Sequence, residues 1–167
     1  MSVLKKTSLF LLFLVFSCSN ITFLYDDNIN ITNPLYNKTK VNTSGKEISS
    51  LTQFKTRYFG NTNKHEYIVF INIEENKTRK SVQKNQAIIK LDYEIRFNYV
   101  VENINLGCNV FQKEIFSRFS HVPKSSGYNF GSDQSLNRLY ELAIKENLQN
   151  FISHITTNSL TSCINEN

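Results

Sequence analysis

The feature that most constrains the fold is a strictly alternating segment in the middle of the chain. Apolar or aromatic side chains occupy every odd position from Ile89 to Tyr99, and charged residues or Asn occupy the even positions between them. A period of two is that of a β-strand, because successive side chains point to opposite faces of a sheet. Burying the odd side chains contributes on the order of 10–15 kcal/mol before conformational entropy is counted. The segment therefore predicts a strand with one buried face and one solvent-exposed face.

Neighbouring patterns predict the strands that pair with this one. Residues 67–73 also alternate, with Ile68 and Phe70 adding apolar side chains to the other face, and residues 76–86 are polar and suit a surface connection. A turn at 103–107 is followed by a strand from 109 to about 121, and the short gap predicts an antiparallel hairpin.

Two segments have helical spacing. Residues 46–59 predict a short amphipathic helix, and an apolar stripe predicts a long helix that begins at Ser132 or Asp133 and runs to about Thr156. A short strand is also favoured near Val41. The fold class predicted from this order is α/β, a two-layer sandwich in which two helices cover one face of a small mixed or antiparallel sheet.

The N-terminus has the pattern of an export signal. Lys5-Lys6 precede an apolar run at 9–16, which is too short to cross a hydrocarbon core of about 30 Å as a helix. The run ends in Val15-Phe16-Ser17-Cys18, which resembles the lipobox of bacterial lipoproteins and makes Cys18 the expected site of lipidation. Two or three acyl chains anchor a protein stably. Ordinary signal cleavage after Ser17 is the alternative.

These patterns divide the chain into four parts. Residues 1–17 are the signal peptide, 18–45 the lipidated N-terminus and a polar tether, 46–157 the α/β domain and 158–167 a polar tail. A chain of 167 residues has room for one domain with such appendages.

Composition excludes several classes of protein. With 40% hydrophobic and 20% charged residues, the chain is neither disordered, fibrous nor a polytopic membrane protein. A net charge of +5 is well below that of a dedicated nucleic-acid binder. A polyanion such as a phosphorylated glycolipid, an acidic membrane surface or RNA remains open as a partner, as does a neutral one.

No catalytic constellation is present in the sequence. His65, His121 and His154 lack the spacing of metal ligands, and Ser81-Val82-Gln83-Lys84 lacks the Lys-Thr-Gly partner of penicillin-recognising enzymes. No phosphate loop or nucleophile elbow occurs. We therefore expect a protein that is not an enzyme and that holds no metal and no cofactor beyond the covalent lipid.

Basic side chains on the two hairpin strands are the candidate binding residues. Lys90 and Arg96, with Lys113 and Arg118 on the neighbouring strand, predict a basic patch beside aromatic residues. The alternative is a solvated face on which Asp92 and Glu94 are interleaved with the cations.

Cys108 and Cys163 face an oxidising compartment if the chain is exported. They either form a disulfide or remain thiols, and the sequence leaves both open. No Cys-x-x-Cys motif supports a metal or redox site.

The lipobox, tether, two-faced hairpin and long C-terminal helix together resemble the LPS-assembly lipoprotein family LptE, in its alphaproteobacterial form. The similarity runs over about 86–155 and includes the strand 91–99, the turn at Gly107, Gly127-Tyr128-Asn129 and the helix from Leu142 onward. Pro34-Leu35-Tyr36 is similar to a Pro-Leu-Tyr that follows the lipidated Cys in family members. The interval from 37 to 64 leaves little room for the family's first strand and first helix.

This resemblance implies a mechanism without bond chemistry. The lipid on Cys18 would hold the protein on the inner leaflet of the outer membrane, facing the periplasm. The domain would plug an LptD-type β-barrel, help it assemble and assist lipopolysaccharide delivery to the outer leaflet, with no nucleic-acid partner. The basic residues at 90, 96, 113 and 118 would meet lipid A phosphates.

Two other functions remain open from the sequence. One is a free-standing lipoprotein that binds a ligand or peptidoglycan without a barrel partner. The other is a small secreted adhesin or effector cut after Ser17.

Overall fold

The computed structural model describes residues 33–82, 88–123, 130–158 and 160–164. The predicted signal peptide and the lipidation site Cys18 lie outside these residues. The described elements are listed in chain order: β1 (Thr39–Gly45), α1 (Ser49–Phe59), β2 (Tyr67–Val82), β3 (Ile88–Asn103), β4 (Cys108–His121) and α2 (Phe130–Thr157).

The strands form one mixed sheet in the order β1-β2-β3-β4. β1 runs parallel to β2, and α1 makes the crossover between them, whereas β2, β3 and β4 form an antiparallel meander. Both helices pack on the same face of this sheet. The predicted fold class, a two-layer α/β sandwich, is confirmed.

β3 is the central element of the core, as its alternation predicted. Each odd residue from Leu91 to Val101 is buried, and each even residue from Asp92 to Val100 is partly exposed. The helices supply the opposite wall of the core with a continuous apolar stripe on α2 and a shorter one on α1. Phe151 of α2 stacks on Tyr99 with ring centroids 4.0 Å apart, and Phe59 of α1 lies 6.2 Å from Phe151. Such aromatic contacts add stability beyond the area that they bury.

β2 is longer than its apolar pattern indicates. The alternation ends at Ile73, but the strand continues to Val82 because each residue from Glu74 to Arg79 pairs with a residue of β3. The predicted surface connection at 76–86 is therefore strand through Val82. The long helix likewise begins two residues before the predicted cap, at Phe130.

The folded unit begins before the predicted boundary at residue 46. β1 forms inside the predicted tether, and Leu35 is completely buried in the core. Asn33 is also buried, and its side-chain amide donates a hydrogen bond of 2.6 Å to the carbonyl of Tyr58. The interval from 37 to 64, in which little room was predicted for a first strand and first helix of the family's length, contains a strand of seven residues and a helix of eleven.

The C-terminal segment is attached to the domain rather than trailing from it. Leu160 is buried, and the Ile164 amide donates a hydrogen bond of 2.8 Å to the carbonyl of Asn109. Cys163 forms a disulfide with Cys108, with a Cα–Cα distance of 5.8 Å. Of the two states left open by the sequence, the structure contains the bridged one.

Candidate functional site

The sheet face that carries no helix is the candidate functional surface, and we call it the open face. It consists of the even-numbered residues of β3 from 92 to 102 and their cross-strand partners. Register places Arg96 between Glu74 of β2 and Phe116 of β4, and it places Glu94 beside Arg118. Its charged half lies toward the end of β2 at Val82 and the start of β3 at Ile88, and its half without net charge, which we call the neutral half, lies toward the β3–β4 turn.

The arginines of the open face are paired with carboxylates. Arg96 contacts Glu74 at 3.5 Å and Glu114 at 3.6 Å, and the Nε of Arg118 donates a hydrogen bond of 2.6 Å to Glu94. All of these side chains keep substantial contact with water. Exposed pairs of this kind contribute little to stability, in most cases less than about 1 kcal/mol.

Phe116 lies between the two arginines. The guanidinium carbons of Arg96 and Arg118 are 5.2 and 5.6 Å from its ring centroid, within the range of a cation–π interaction. The ring remains 39% exposed. An aromatic side chain flanked by two guanidinium groups is therefore accessible to a partner on this face.

Asp92 is the centre of a second charged cluster on the open face. Ser120 donates a hydrogen bond of 2.7 Å to its carboxylate, and Lys80 and Lys90 lie 3.2 and 3.6 Å from it. The hydrogen bond from Ser120 lowers the pKa of Asp92, partial desolvation opposes this, and the two lysines reinforce the lowering. The carboxylate is therefore ionised over the whole physiological range.

The four predicted basic residues do not form one patch. Lys90, Arg96 and Arg118 lie on the open face, but Lys113 is the cross-strand partner of Tyr99, whose side chain points to the helices. Residues 113 and 118 are an odd number of positions apart, so a regular strand directs them to opposite faces. The sequence already contained this information.

A β-bulge decides which of the two faces each of them takes. The register of β4 against β3 shifts between Val101 and Glu102. A shift of one residue exchanges the two faces of a strand. Without it, Lys113 would lie on the open face, and Phe116 and Arg118 would point toward the helices.

The charged half of the open face is electrically balanced. Its described cations are Lys80, Lys90, Arg96 and Arg118, and its described acids are Glu74, Asp92, Glu94 and Glu114. This arrangement corresponds to the alternative drawn from the sequence, a solvated face with interleaved Asp92 and Glu94. A ligand that engages the arginines has to displace carboxylates that already contact them.

The neutral half of the open face was missed as a candidate surface. Phe70, which is 40% exposed, pairs with Val100, and Ile68 follows on the same side of β2. Four amide side chains also lie in this region: Asn42, Asn72, Asn98 and Gln112. Beside Ile68 it carries one charge of each sign, Lys40 and Glu102, so it has no net charge. The signal was present in the sequence as Ile68 and Phe70, which interrupt the polar side of β2.

At the helix–sheet interface, the polar groups of Tyr140, Glu75 and Lys46 contact one another. The Tyr140 hydroxyl donates a hydrogen bond of 2.5 Å to Glu75, whose carboxylate also contacts Lys46 at 3.7 Å. Desolvation, together with Glu75, raises the pKa of Tyr140 well above its usual value. Within the described ranges, no group of His, Cys, Asp and Glu is arranged as a metal site.

In the part of the chain that the structure describes, neither helix has the length and hydropathy needed to cross a membrane.

Comparison with known proteins identifies the fold. The sequence matches no protein-family model, and no curated protein is similar to it. Among solved structures, the chain is similar to a candidate lipoprotein from Caulobacter crescentus, with a TM-score of 0.53 and 10% identity over 71% of this chain and 88% of that one. It is also similar to rare lipoprotein B from Shewanella oneidensis, with a TM-score of 0.50 and 12% identity over 71% and 96% of the two chains. At these identities the likeness establishes a shared fold.

Proposed function

We propose that this chain is an outer-membrane lipoprotein of the LptE type, tethered by lipid on Cys18 to the inner leaflet. Its domain plugs an LptD-type β-barrel, helps that barrel to assemble and assists the delivery of lipopolysaccharide to the outer leaflet. The observation that carries the proposal is the fold, which the chain shares with rare lipoprotein B over 96% of that protein's length. The family resemblance of the hairpin and the C-terminal helix supports it independently.

The two faces of the sheet suit a plug. One face is dry beneath the helices, whereas the open face carries paired charges and amides, which are compatible with the polar lumen of a large barrel. The proposed role requires no catalytic group. It requires a rigid body and a surface that contacts a partner.

The basic groups of the open face are the proposed contacts for lipid A phosphates. Arg96 and Arg118 are 42% and 71% exposed, so a phosphate can reach them from solvent. Charge-assisted hydrogen bonds from guanidinium to phosphate are strong enough to compete with a solvated carboxylate. Lys90 extends the same surface.

The experiment for the barrel partner is affinity purification of the tagged full-length protein from detergent-solubilised outer membranes, followed by mass spectrometry. We expect a large β-barrel protein in stoichiometric amount that remains bound in high salt. Recovery of the lipoprotein alone would instead support the free-standing lipoprotein that binds a ligand or peptidoglycan.

The experiment for lipopolysaccharide measures binding of the purified full-length protein in detergent. We expect the double variant Arg96→Gln/Arg118→Gln to bind more weakly and with a smaller dependence on salt. Lys113→Gln removes a cation from the other side of the sheet and serves as the matched control. Equal binding by all three proteins would exclude the open face as the contact surface.

A further inference from the structure

The two edge strands of the sheet differ in whether other described residues bind to their outer edges. On β4, the carbonyl of Asn109 accepts a hydrogen bond from Ile164, and the carbonyl of Ile115 accepts one from the Asn147 side chain. The Cys108–Cys163 disulfide holds the C-terminal segment against this strand. On β1, no strand or tail of the described residues pairs with the outer edge.

Hydrogen bonds at both ends of β1 show which backbone groups point outward. The carbonyl of Lys38 accepts from Tyr67, and the amide of Lys46 donates to Ile73, so the even-numbered positions face β2. Because successive residues of a strand alternate in direction, Val41 and Thr43 point their N–H and C=O groups away from β2. A strand edge with unpaired groups is a template for another strand.

This edge opens into a groove beside α1. The groove has a volume of about 670 Å³. The last three residues of β1 and the connection that follows form one wall, and the first turns of α1 form the other. Thr43, Ser44 and Lys46 line it on one side, and Thr52 and Lys55 on the other. A strand edge beside a helix is the geometry in which peptide-binding domains accept an extended chain.

The charges around the groove indicate which kind of segment binds there. Lys46 and Lys55 line it together with a single acid, Glu47. β1 itself contains no acidic residue, and its Lys40 lies outside the groove, on the open face beside Ile68. A second copy of β1 paired antiparallel about Asn42 would place Lys38 opposite Lys46. Like charges in that position destabilise a pair of strands, so an acidic segment fits better than a second copy.

We propose that the outer edge of β1 binds an extended, acidic segment of a partner protein by strand addition. Main-chain hydrogen bonds to Val41 and Thr43 hold the segment, and its acidic side chains meet the lysines along the groove. This inference rests on the β1 edge alone and does not depend on the barrel partner proposed above.

Amide hydrogen exchange, followed by NMR on the full-length protein in detergent, tests the proposal. The probe is a ten-residue peptide of alternating valine and aspartate, acetylated and amidated at its ends. We expect it to slow exchange at Val41 and Thr43 by about tenfold or more, as new hydrogen bonds require. Exchange at Asn42 and Ser44, which already face β2, stays unchanged.

Two control peptides separate strand addition from other binding. A peptide of the same sequence with alternate N-methylated amides cannot form the ladder, and one with lysine in place of aspartate has the wrong charge. Neither should protect Val41 or Thr43. Equal protection by the N-methylated peptide would overturn strand addition, and equal protection by the lysine peptide would overturn the acidic assignment.

Variants of Thr43 provide a second measurement, by fluorescence anisotropy of the labelled peptide. Thr43→Pro removes an outward N–H that does not face β2, so we expect the affinity for the peptide to fall about tenfold. Thr43→Ala retains the N–H and should retain the affinity.

Hydrogen exchange without peptide identifies the other occupants of this edge. Protection of Val41 and Thr43 in dilute protein without peptide would show that the chain itself covers the edge. Protection that grows with protein concentration would show a second copy. Either result would overturn the proposal.

Discussion

The phenolic hydroxyl of Tyr99 donates a hydrogen bond of 2.7 Å to the side-chain oxygen of Asn147, and both residues are fully buried. The amide of Asn147 in turn donates to the carbonyl of Ile115 and to Ser117, at 3.2 and 3.0 Å. One side chain of α2 is thus bonded to both β3 and β4. A buried polar group that has all its partners fixes one placement of a helix on a sheet, because any shift leaves a group unsatisfied.

Removing the Tyr99 hydroxyl tests this network. In Tyr99→Phe the oxygen of Asn147 stays buried without its donor, so we expect the free energy of unfolding to fall by about 1–3 kcal/mol. Urea denaturation measures it. Tyr36→Phe is the control, because Tyr36 is only half-buried. This variant should lose no more than about 0.5 kcal/mol of its free energy of unfolding. Equal losses in the two variants would contradict the importance of the Asn147 contact.

The same tyrosine predicts a loss of stability in alkali. Burial raises the pKa of Tyr99 well above the usual 10.0, so the folded state keeps the proton that the unfolded state releases. Because the pKa of Tyr99 is higher in the folded state than in the unfolded state, the stability that it contributes is complete below about pH 10 and is lost as the pH rises above about 10. Between pH 9 and 11 the wild type should therefore lose about 1.4 kcal/mol more than Tyr99→Phe does. Parallel pH profiles for the two proteins would show that Tyr99 ionises while folded.

The Cys108–Cys163 disulfide should contribute measurably to stability. Its sequence separation is 55, and the chain-entropy model assigns to such a loop about 4 kcal/mol. We expect Cys108→Ala/Cys163→Ala to lower the free energy of unfolding by about 2–4 kcal/mol in urea denaturation. Exchange at the Ile164 amide should also accelerate, because the tail then detaches from Asn109. Unchanged exchange would mean that Leu160 holds the tail without the bridge.

Gly45, at the end of β1, should tolerate alanine far less well than Gly107 in the β3–β4 turn. Both have positive φ, 86° and 65°, so both alanine variants adopt the left-handed backbone at a cost of about 1–2 kcal/mol. A Cβ at Gly45 would also collide with the carbonyl oxygen of Ile73, whereas one at Gly107 meets nothing within 4 Å. In thermal or urea unfolding, Gly45→Ala should be less stable than Gly107→Ala by about 1–3 kcal/mol. Equal stability of the two variants would argue against the close packing of β1 on β2.

The elements that were well predicted are those whose evidence lies within a single segment. The alternation of β3 and the apolar stripe of α2 each follow from spacing along one element, and both are present in the structure. The second half of β2 has no such pattern. It is a strand because β3 pairs with it from Glu74 to Arg79. β1 and the C-terminal segment likewise depend on partners that are distant in the sequence.

The candidate site shows the same division. Which residues of β3 face solvent could be read from the sequence, since alternation alone assigns them. That Arg96 and Arg118 flank Phe116, and that each contacts a carboxylate, depends on the register between strands. A single bulge beside Val101 changes that register and directs Lys113 to the helix side.

By itself, the sequence determined the fold class and the two-faced character of the central strand, because periodicity is a local property and burial follows from it. The tertiary structure alone decided that residues before 46 belong to the domain, which cations are paired and which sheet edge has no strand partner among the described residues. These depend on contacts between residues far apart in the chain, such as Asn33 with Tyr58 and Cys108 with Cys163. Such contacts form only when the two layers pack, so no single segment encodes them.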